Sequence, residues 1–247
     1  MLARKRMEDF PILGDGAYFI WRGRRTSEYD IAVERLPARI LPQKRGAEYS
    51  VPGRSGSVRV EEDAYDNYTR SAECLLLTPS LASEAARWLS GSGDLVLSDE
   101  PGFRYEARVK NNLSLQRVWN SGQARFIVQF DCQPFRYEIE CEPLTLTRSG
   151  STVFGRGNVP AAPVFEVHGR GEIEISVNGR AFGLRGVDGT ITVDSLMLVA
   201  YTKGASGAVL ANASMLGEFP ELKPGENIIS WTGNVDKLVI TPNWRWI

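Results

Sequence analysis

Only three cysteines occur in the 247 residues, Cys74, Cys132 and Cys141, and no two of them form a Cys-x-x-Cys pair. An odd number without metal-ligand spacing excludes a disulfide scaffold and a zinc knuckle, and points to synthesis in a reducing cytoplasm. Histidine is scarcer: His168 stands alone, so any Ser-His-Asp or Cys-His site has to use it, and a metal site has at most one imidazole. No apolar run reaches the roughly 18 residues that span a bilayer. The basic residues Arg4, Lys5 and Arg6 are followed by no apolar segment of signal-peptide type. Without a secretory route, the Asn-x-Ser/Thr matches at Asn67, Asn112 and Asn212 read as chance.

An excess of charge of one sign is also missing. Twenty-nine Lys and Arg face 30 Asp and Glu, a net charge of −1, which argues against a protein that wraps phosphate backbones by releasing counterions. What is present is ordinary for a globular chain: 43% hydrophobic and 24% charged residues, enough apolar side chain for packed cores. At roughly 100–200 residues per domain, the length predicts one large or two ordinary domains.

The stretch from Tyr18 to Val33 alternates short apolar runs with turn-prone ones, and Pro37, Pro42 and Pro52 then break any helix. This predicts strands followed by an extended, proline-marked segment. Val58 and Val60 flank Arg59 with period two, and Cys74 to Leu77 is a short run of buried-strand type. One helix is predicted at about Leu81 to Ser90, with Leu81, Ala85, Trp88 and Leu89 on one face. Thr78 or Ser80 is its expected cap, with Pro79 in the first turn, and Gly91 and Gly93 its terminators. Strands follow at Leu95 to Leu97, Phe103 to Val109 and Arg125 to Phe130, after which Pro134 and Pro143 bracket a junction.

From Pro163 onward the pattern is almost wholly β. Ile173, Ile175 and Val177 alternate with Glu172, Glu174 and Ser176, and Asn178-Gly179 follows, the strongest short hairpin signal available. Further strands are expected at Ile191 to Val193, Leu196 to Tyr201, Ile228 to Trp231 and Leu238 to Ile240, with turns at Asp188-Gly189, Lys203-Gly204 and Lys223-Pro224-Gly225. Such spacing predicts a single β-sandwich.

Catalytic patterns are absent. Gly53-Arg54-Ser55-Gly56 and Gly204-Ala205-Ser206-Gly207 lack a residue of the nucleophile-elbow spacing. Gly155-Arg156-Gly157 and Gly169-Arg170-Gly171 stop short of a phosphate-binding loop and read as loops. Glu172 and Glu174 read as the solvent face of a strand, and Glu61, Glu62 and Asp63 as a solvated cluster rather than a catalytic pair. His168 has opposite parity to Phe165 and Val167, which predicts an exposed or edge imidazole on the face away from the core, with no chemical role. No cofactor is implied. The aromatic residues Trp244 and Trp246, flanking Arg245, form a candidate glycan or partner surface, and Tyr201 and Trp231 lie in neighbouring strand-like segments; burial in the sandwich is the competing fate.

Ordered segments along nearly the whole chain resemble the distal tail protein family of long, non-contractile-tailed bacteriophages and prophages. In the first half they are Phe19-Ile20-Trp21-Arg22-Gly23-Arg24-Arg25-Thr26-Ser27-Glu28-Tyr29-Asp30, Val51-Pro52-Gly53-Arg54-Ser55-Gly56-Ser57, Trp88 to Leu95 and Val128 to Phe135. In the second they are Val177-Asn178-Gly179, Gly189 to Asp194, Gly217-Glu218-Phe219-Pro220, Leu222 to Asn227, Ile229 to Asn234 and Thr241 to Trp246. The resemblance implies a mainly β chain of two domains. Residues 1–140 would be a β-rich, ring-forming domain with one α-helix that closes a hexamer around the tail channel. Residues 141–247 would be a galectin-like, carbohydrate-binding-module-like β-sandwich that projects as a docking platform. It further implies a non-enzymatic baseplate component of the virion tail tip. Its partners would be further copies of itself, the tail tube protein, a tail-associated hub or fibre protein, and in some phages receptor-binding proteins, with no nucleic-acid or membrane binding of its own. Galectins carry His-x-Asn-Pro-Arg and Trp-x-x-Glu-x-Arg motifs. Here His168 precedes Gly169-Arg170-Gly171 and Trp231 precedes Thr232-Gly233-Asn234, so neither motif is present. Residues 1–17 lie outside the matching segments.

Counted by segment, residues 1–60 hold twelve Lys and Arg against seven Asp and Glu, and residues 61–140 hold eight against thirteen. A +5 segment followed by a −5 segment suits head-to-tail contacts in a closed ring; the alternative is that the two sets of charges intermix on one surface. The proline-marked stretch from Arg39 to Arg59 is the candidate contact region, with Arg45, Tyr49, Arg54 and Arg59 as candidate ring-interface residues. The competing functional classes are a carbohydrate-binding adhesin module contacting the host wall and, behind it, a cell-wall hydrolase.

Overall fold

A computed structural model describes residues 16–118, 121–204 and 207–247. The basic N-terminus and Ala205-Ser206 of the second glycine-serine stretch lie outside them. The chain is mainly β with one α-helix among the described residues. It divides into two compact units, Met1–Ile139 with Ile247, and Glu140–Trp246.

In the first unit the strands are β1 (Phe19–Trp21), β2 (Arg24–Arg25), β3 (Ile31–Arg35), β4 (Lys44–Ser50), β5 (Ser57–Tyr65), β6 (Tyr68–Leu76), β7 (Ser92–Leu97), β8 (Phe103–Val109), β9 (Gln116–Arg117) and β10 (Ala124–Glu138); helix α1 is Ala82–Trp88. The main sheet is antiparallel in the order β2-β1-β7-β8-β10-β6-β3. One face buries alternate residues of each strand, among them Phe19, Trp21, Cys74, Leu76, Leu95, Leu97, Phe126, Phe130 and Cys132. Helix α1 lays Ala85 and Trp88 on this face, where Trp88 stacks on Tyr29 with ring centroids 4.4 Å apart.

The expected helix is present but its cap is different. Pro79–Leu81 forms a preceding 3-10 turn, Thr78 makes no capping bond with its side chain, and its hydroxyl donates to Asp30 Oδ2 at 2.8 Å. The helix stops at Trp88 with Leu89 as its C-cap, before either expected terminator: Gly91 (φ +72°) turns the chain beyond the cap, and Gly93 already belongs to β7, where a Cβ would collide with the Arg22 side chain. The division between the units falls between Pro134 and Pro143, though Pro134 itself is not at it. It lies within β10, where the register against β8 shifts between Cys132 and Arg136 and the pairing with β6 has ended at Cys132, so its missing N–H removes no rung of the ladder.

The second unit contains β11 (Leu144–Leu146), β12 (Ser151–Gly155), β13 (Val164–Val177), β14 (Arg180–Asp194), β15 (Val199–Gly204), β16 (Gly207–Leu210), β17 (Met215–Leu216) and β18 (Gly225–Thr241). They pair in the order β11-β18-β13-β14-β15-β16, with β12 also on β18 and β17 on β14. The curled sheet encloses a core that includes Phe165, Val167, Ile175, Phe182, Leu184, Ile191, Leu238, Ile240 and Trp244.

The β13–β14 hairpin turns at Asn178-Gly179, with φ of +53° and +83°, the two left-handed residues that a type I′ turn requires. Several expected boundaries disappear into longer strands. Asp188-Gly189 is no reversal but part of β14, Ile228 to Trp231 and Leu238 to Ile240 are one strand, and Gly169-Arg170-Gly171 sits inside β13 rather than in a loop. In each case a bulge shifts the ladder. Residues 196–198 are not strand. Asp194 Oδ1 accepts from the N–H groups of Leu196 and Met197, at 2.9 Å each, and folds them into an exposed turn in which Leu198 has φ +53°.

Candidate functional site

The proline-marked stretch is a β-hairpin. Among the described residues, strands β4 and β5 pair only with each other. Between them, Arg54 N donates to Val51 O at 3.1 Å, with Pro52 and Gly53 (φ +80°) at the turn centre, the composition of a type II turn. Every residue of β4 is exposed. Paired residues project to the same side of a two-stranded ladder. Ala47↔Val60 and Tyr49↔Val58 therefore give one apolar face, and Glu48↔Arg59, Ser50↔Ser57 and Gly46↔Glu61 a polar one. Tyr49 remains 58% and Val60 52% exposed, so an apolar stripe is left uncovered by the described residues. An isolated two-stranded hairpin is marginal at best.

The root of this hairpin is firm. Asp66 N donates to Gln43 O at 2.9 Å, and Tyr65 packs edge-on against Phe135. The segment leading in is held by Arg70, a 1% exposed guanidinium that donates to Pro37 O at 2.9 Å and lies over the Tyr105 ring. Glu100 sits among Arg39, Arg70 and Arg136 and accepts from the Tyr105 hydroxyl. Burial, followed by that hydrogen bond, pushes the Tyr105 hydroxyl up to about 12.

Of the candidate interface residues, Arg45 bonds Asp66 at 2.9 Å, Arg59 bonds Glu48 at 2.9 Å, and Arg54 and Tyr49 are exposed at and beside the turn. These hydrogen bonds, with the attraction behind them, raise the pKa of both paired guanidinium groups. Charge by segment does not translate into a basic flank and an acidic one. Lys44 meets Asp63, Arg35 meets Glu73, Arg125 grips Glu34 and Arg39 reaches Glu100, so the two sets intermix within the unit. The signal that finds the hairpin is its alternation: Ala47 and Tyr49 around Glu48, and Val58 and Val60 around Arg59.

The aromatic surface expected at the C-terminus does not form as one. Trp244 is 3% exposed and part of the second core, Trp246 is half-buried against the same core, and Arg245 donates its Nε to Pro160 O. A buried indole offers no face for a sugar to stack on.

His168 is half-buried and not at an edge. It lies mid-sheet in β13 with Thr190 Oγ1 3.0 Å from Nδ1 and Glu166 Oε1 2.9 Å from Nε2, and Lys203 Nζ is 3.6 Å from Glu166. Hydroxyl, imidazole and carboxylate in a row is a catalytic order. Here, though, β13 is laddered on both sides by β14 and β18, so its backbone N–H groups are committed and cannot hold an oxyanion. The row is a cross-strand polar ladder. Among the described residues no cluster of His, Cys, Asp and Glu could hold a metal ion, and no helix is long and apolar enough to cross a membrane.

No protein-family model matches the sequence, and no curated protein matches it. Solved structures do. The Dit protein of phage SPP1, described as a paradigm of the hub adsorption apparatus in phages that infect Gram-positive bacteria, superposes with a TM-score of 0.73 at 15% identity, over 94% of this chain and 100% of that one. Two structures of the phage P2 baseplate in its activated conformation, with Ca and with Sr, align at TM-scores of 0.49 and 0.46 and identities of 7% and 9%. They cover 91% and 92% of this chain and 96% and 98% of those chains. The first likeness establishes a common fold along almost the entire length of both chains.

Proposed function

We propose that this chain is a structural distal tail protein of a phage or prophage. In this reading the first unit closes a hexameric ring at the joint between tail tube and baseplate. The second serves as a docking platform for the tail-associated hub or fibre protein and for receptor-binding proteins. The observation that carries the reading is the fold shared with the SPP1 hub protein over 94% of this chain and 100% of that one. The hairpin supports it: an exposed, well-rooted, amphipathic ladder is a contact element awaiting a partner. A ring of identical subunits supplies that partner as the neighbouring copy. The protein acts by assembly rather than by catalysis, in the virion tail tip.

Light scattering and negative-stain imaging of the purified protein test this. Six-fold rings with a central hole are expected, lost in Val60→Asp, which places a charge on the apolar stripe without touching a core. Replacing Arg45, Arg54 and Arg59 by Glu is expected to alter salt sensitivity less than the stripe variant alters assembly. A strict monomer at high concentration, alone and with purified tail tube protein, counts against the reading. The alternative, an adhesin that stacks sugars on Trp244 and Trp246, finds no support in a buried Trp244.

A further inference from the structure

We propose that the outer face of the second unit's sheet, at its β13–β14 turn end, is the docking surface for a different protein that presents lysine or arginine around an apolar centre. The proposal rests on the reading of this unit as a docking platform and adds to it the surface and the chemistry of the contact.

Strand pairing assembles the face. Residues paired across a ladder project to the same side, and along each strand the sides alternate. Ile175, Val177, Phe182 and Ile229 point into the core. The opposite side therefore carries Ser176 with its partners Ala181 and Ser230, and Glu174 with its partners Gly183 and Thr232. Two apolar rails flank these small residues. On one side Leu216 pairs with Gly183 and lies alongside it, so that a Cβ on Gly183 would stand 3.7 Å from Leu216 Cβ. On the other, Ile228 pairs with Thr152, and Phe154, two residues along the same strand, pairs with Glu226.

Phe154 is 71%, Ile228 53% and Leu216 41% exposed. Large apolar side chains that border one floor of serine, alanine and glycine make a patch rather than scattered exposure, and apolar patches with little charge are where proteins meet. The contact is made by side chains, since β13 is hydrogen-bonded to β14 on one side and β18 on the other and offers no free ladder for a strand to join.

The sign of the charge selects the occupant. The strand residues of this face include no lysine or arginine, and Glu174 and Glu226 have no ion pair or side-chain hydrogen bond among the described residues. Glu172, next on the same side of β13, differs in meeting Arg185 at 3.9 Å. Two copies stacked through this face about a two-fold axis would set the carboxylates of one against those of the other. A different protein with cationic side chains meets both carboxylates, and such pairs around an apolar centre fix the choice and register of the partner.

The face is held in shape before any partner arrives. Asn227, wholly buried and next in sequence to both Glu226 and Ile228, accepts through Oδ1 from Lys223 N and from Asn178 Nδ2, each at 2.8 Å. Ile228 N in turn donates to Asn178 Oδ1 at 3.0 Å. This clamp ties the strand that carries Glu226 and Ile228 to the turn, and a preformed surface spares the partner the cost of ordering it.

The test is binding of the full-length protein to the purified tail-associated hub protein of the same phage, measured by biolayer interferometry at low and high salt. Saturable binding that weakens with salt is expected for the wild-type protein. Affinity is expected to fall at least about tenfold in Phe154→Ser and in the double variant Glu174→Lys/Glu226→Lys. It is expected to be unchanged in Glu218→Lys/Glu221→Lys, which makes the same charge change on the neighbouring loop. All five positions are exposed, and thermal unfolding reports that each variant is folded. Equal binding by every variant overturns the docking face and leaves the platform reading standing, whereas no binding by the wild-type protein overturns both. Self-association of the isolated protein that Phe154→Ser abolishes, with hub binding untouched, assigns the face to a second copy and likewise overturns the proposal.

Discussion

Trp21 and Trp88, 67 residues apart, each donate the indole N–H to the other's backbone carbonyl, at 3.1 and 3.0 Å. The exchange binds strand β1 to the end of helix α1 through two buried bonds. Trp21 also leans on Phe130, and Trp88 stacks with Phe19 and Tyr29. Both rings therefore act as hydrophobic bulk and as polar ties, one of them to a carbonyl at a helix end that lacks a partner within the helix.

Trp88→Phe keeps an aromatic ring but removes one donor, leaving the Trp21 carbonyl short of a partner in a dry core. The expected loss is about 1–3 kcal/mol from that carbonyl, with a further cost for the unfilled volume. Urea unfolding should show a lower midpoint at an unchanged slope. Trp21→Phe should behave alike, and the double variant should fall short of the sum, because both rings hold the same strand to the same helix.

The thiols of Cys74 and Cys132 give a pH dependence. Both are wholly buried, and burial, as the largest cause, pushes each up to about 12 from an ordinary 9.0. Between these values the unfolded chain has released the thiol proton and the folded chain retains it. Stability is therefore unaffected by these groups below pH 9.0 and falls as pH rises toward about 12. Denaturant titrations across that window should show the decline, shallower in Cys74→Ala. A thiol reagent in mildly alkaline buffer should leave both groups unmodified until the protein is unfolded.

At the β13–β14 turn, Gly179 has φ +83°, so Gly179→Ala should cost about 1–2 kcal/mol from the left-handed backbone alone, with open space for the methyl group itself. Asn178→Ala should cost more than its own φ of +53° explains. Its Oδ1 accepts from Ile228 N at 3.0 Å, and its Nδ2 donates to Asn227. Thermal unfolding of the two variants should rank them in that order.

That turn was legible because Asn-Gly follows a clean alternation. The rest of the same sheet was not, for a physical reason. In β14 the buried hydrophobic residues run Phe182 and Leu184, then Val187, Ile191 and Val193. The change of parity falls at Arg185-Gly186, where the register against β13 slips. In β18 the same happens between Ile229 and Leu238. A bulge inverts which residues face the core, so a reader counting alternation sees two strands and a turn. Leu196-Met197-Leu198 misleads the other way: an apolar run that Asp194 folds into an exposed turn. The hairpin of β4 and β5 carries its alternation openly, but the prolines around it and its surplus of arginine read as an extended, charged segment. In the fold those charges are largely spent on one another. Trp244 looked available because parity gives sides, not depth.

Asn227 is the position on which the tie between the β13–β14 turn and residues 217–223 most depends. Besides its two acceptor bonds, its Nδ2 donates to Lys223 O at 2.8 Å and Gly225 O at 3.0 Å, with Val153 O 3.3 Å away. Asn227→Ala removes every one of these ties from a wholly buried site and should cost about 3 kcal/mol, as expected when several buried backbone groups lose one partner. Asn227→Asp separates shape from donation. The carboxylate fits the space and still accepts from Lys223 N and Asn178, but it faces the carbonyls of Lys223 and Gly225 with no proton to offer. Burial and those carbonyl dipoles should raise its pKa above the usual carboxylate range. The protonated form then regains one donor, so Asn227→Asp should be least stable at neutral pH and recover as pH falls, the opposite of ordinary acid unfolding. Thermal scans of both variants over an acid-to-neutral series decide it: recovery in Asp and none in Ala supports the clamp, and a parallel decline in both shows that Asn227 holds no donor-dependent tie.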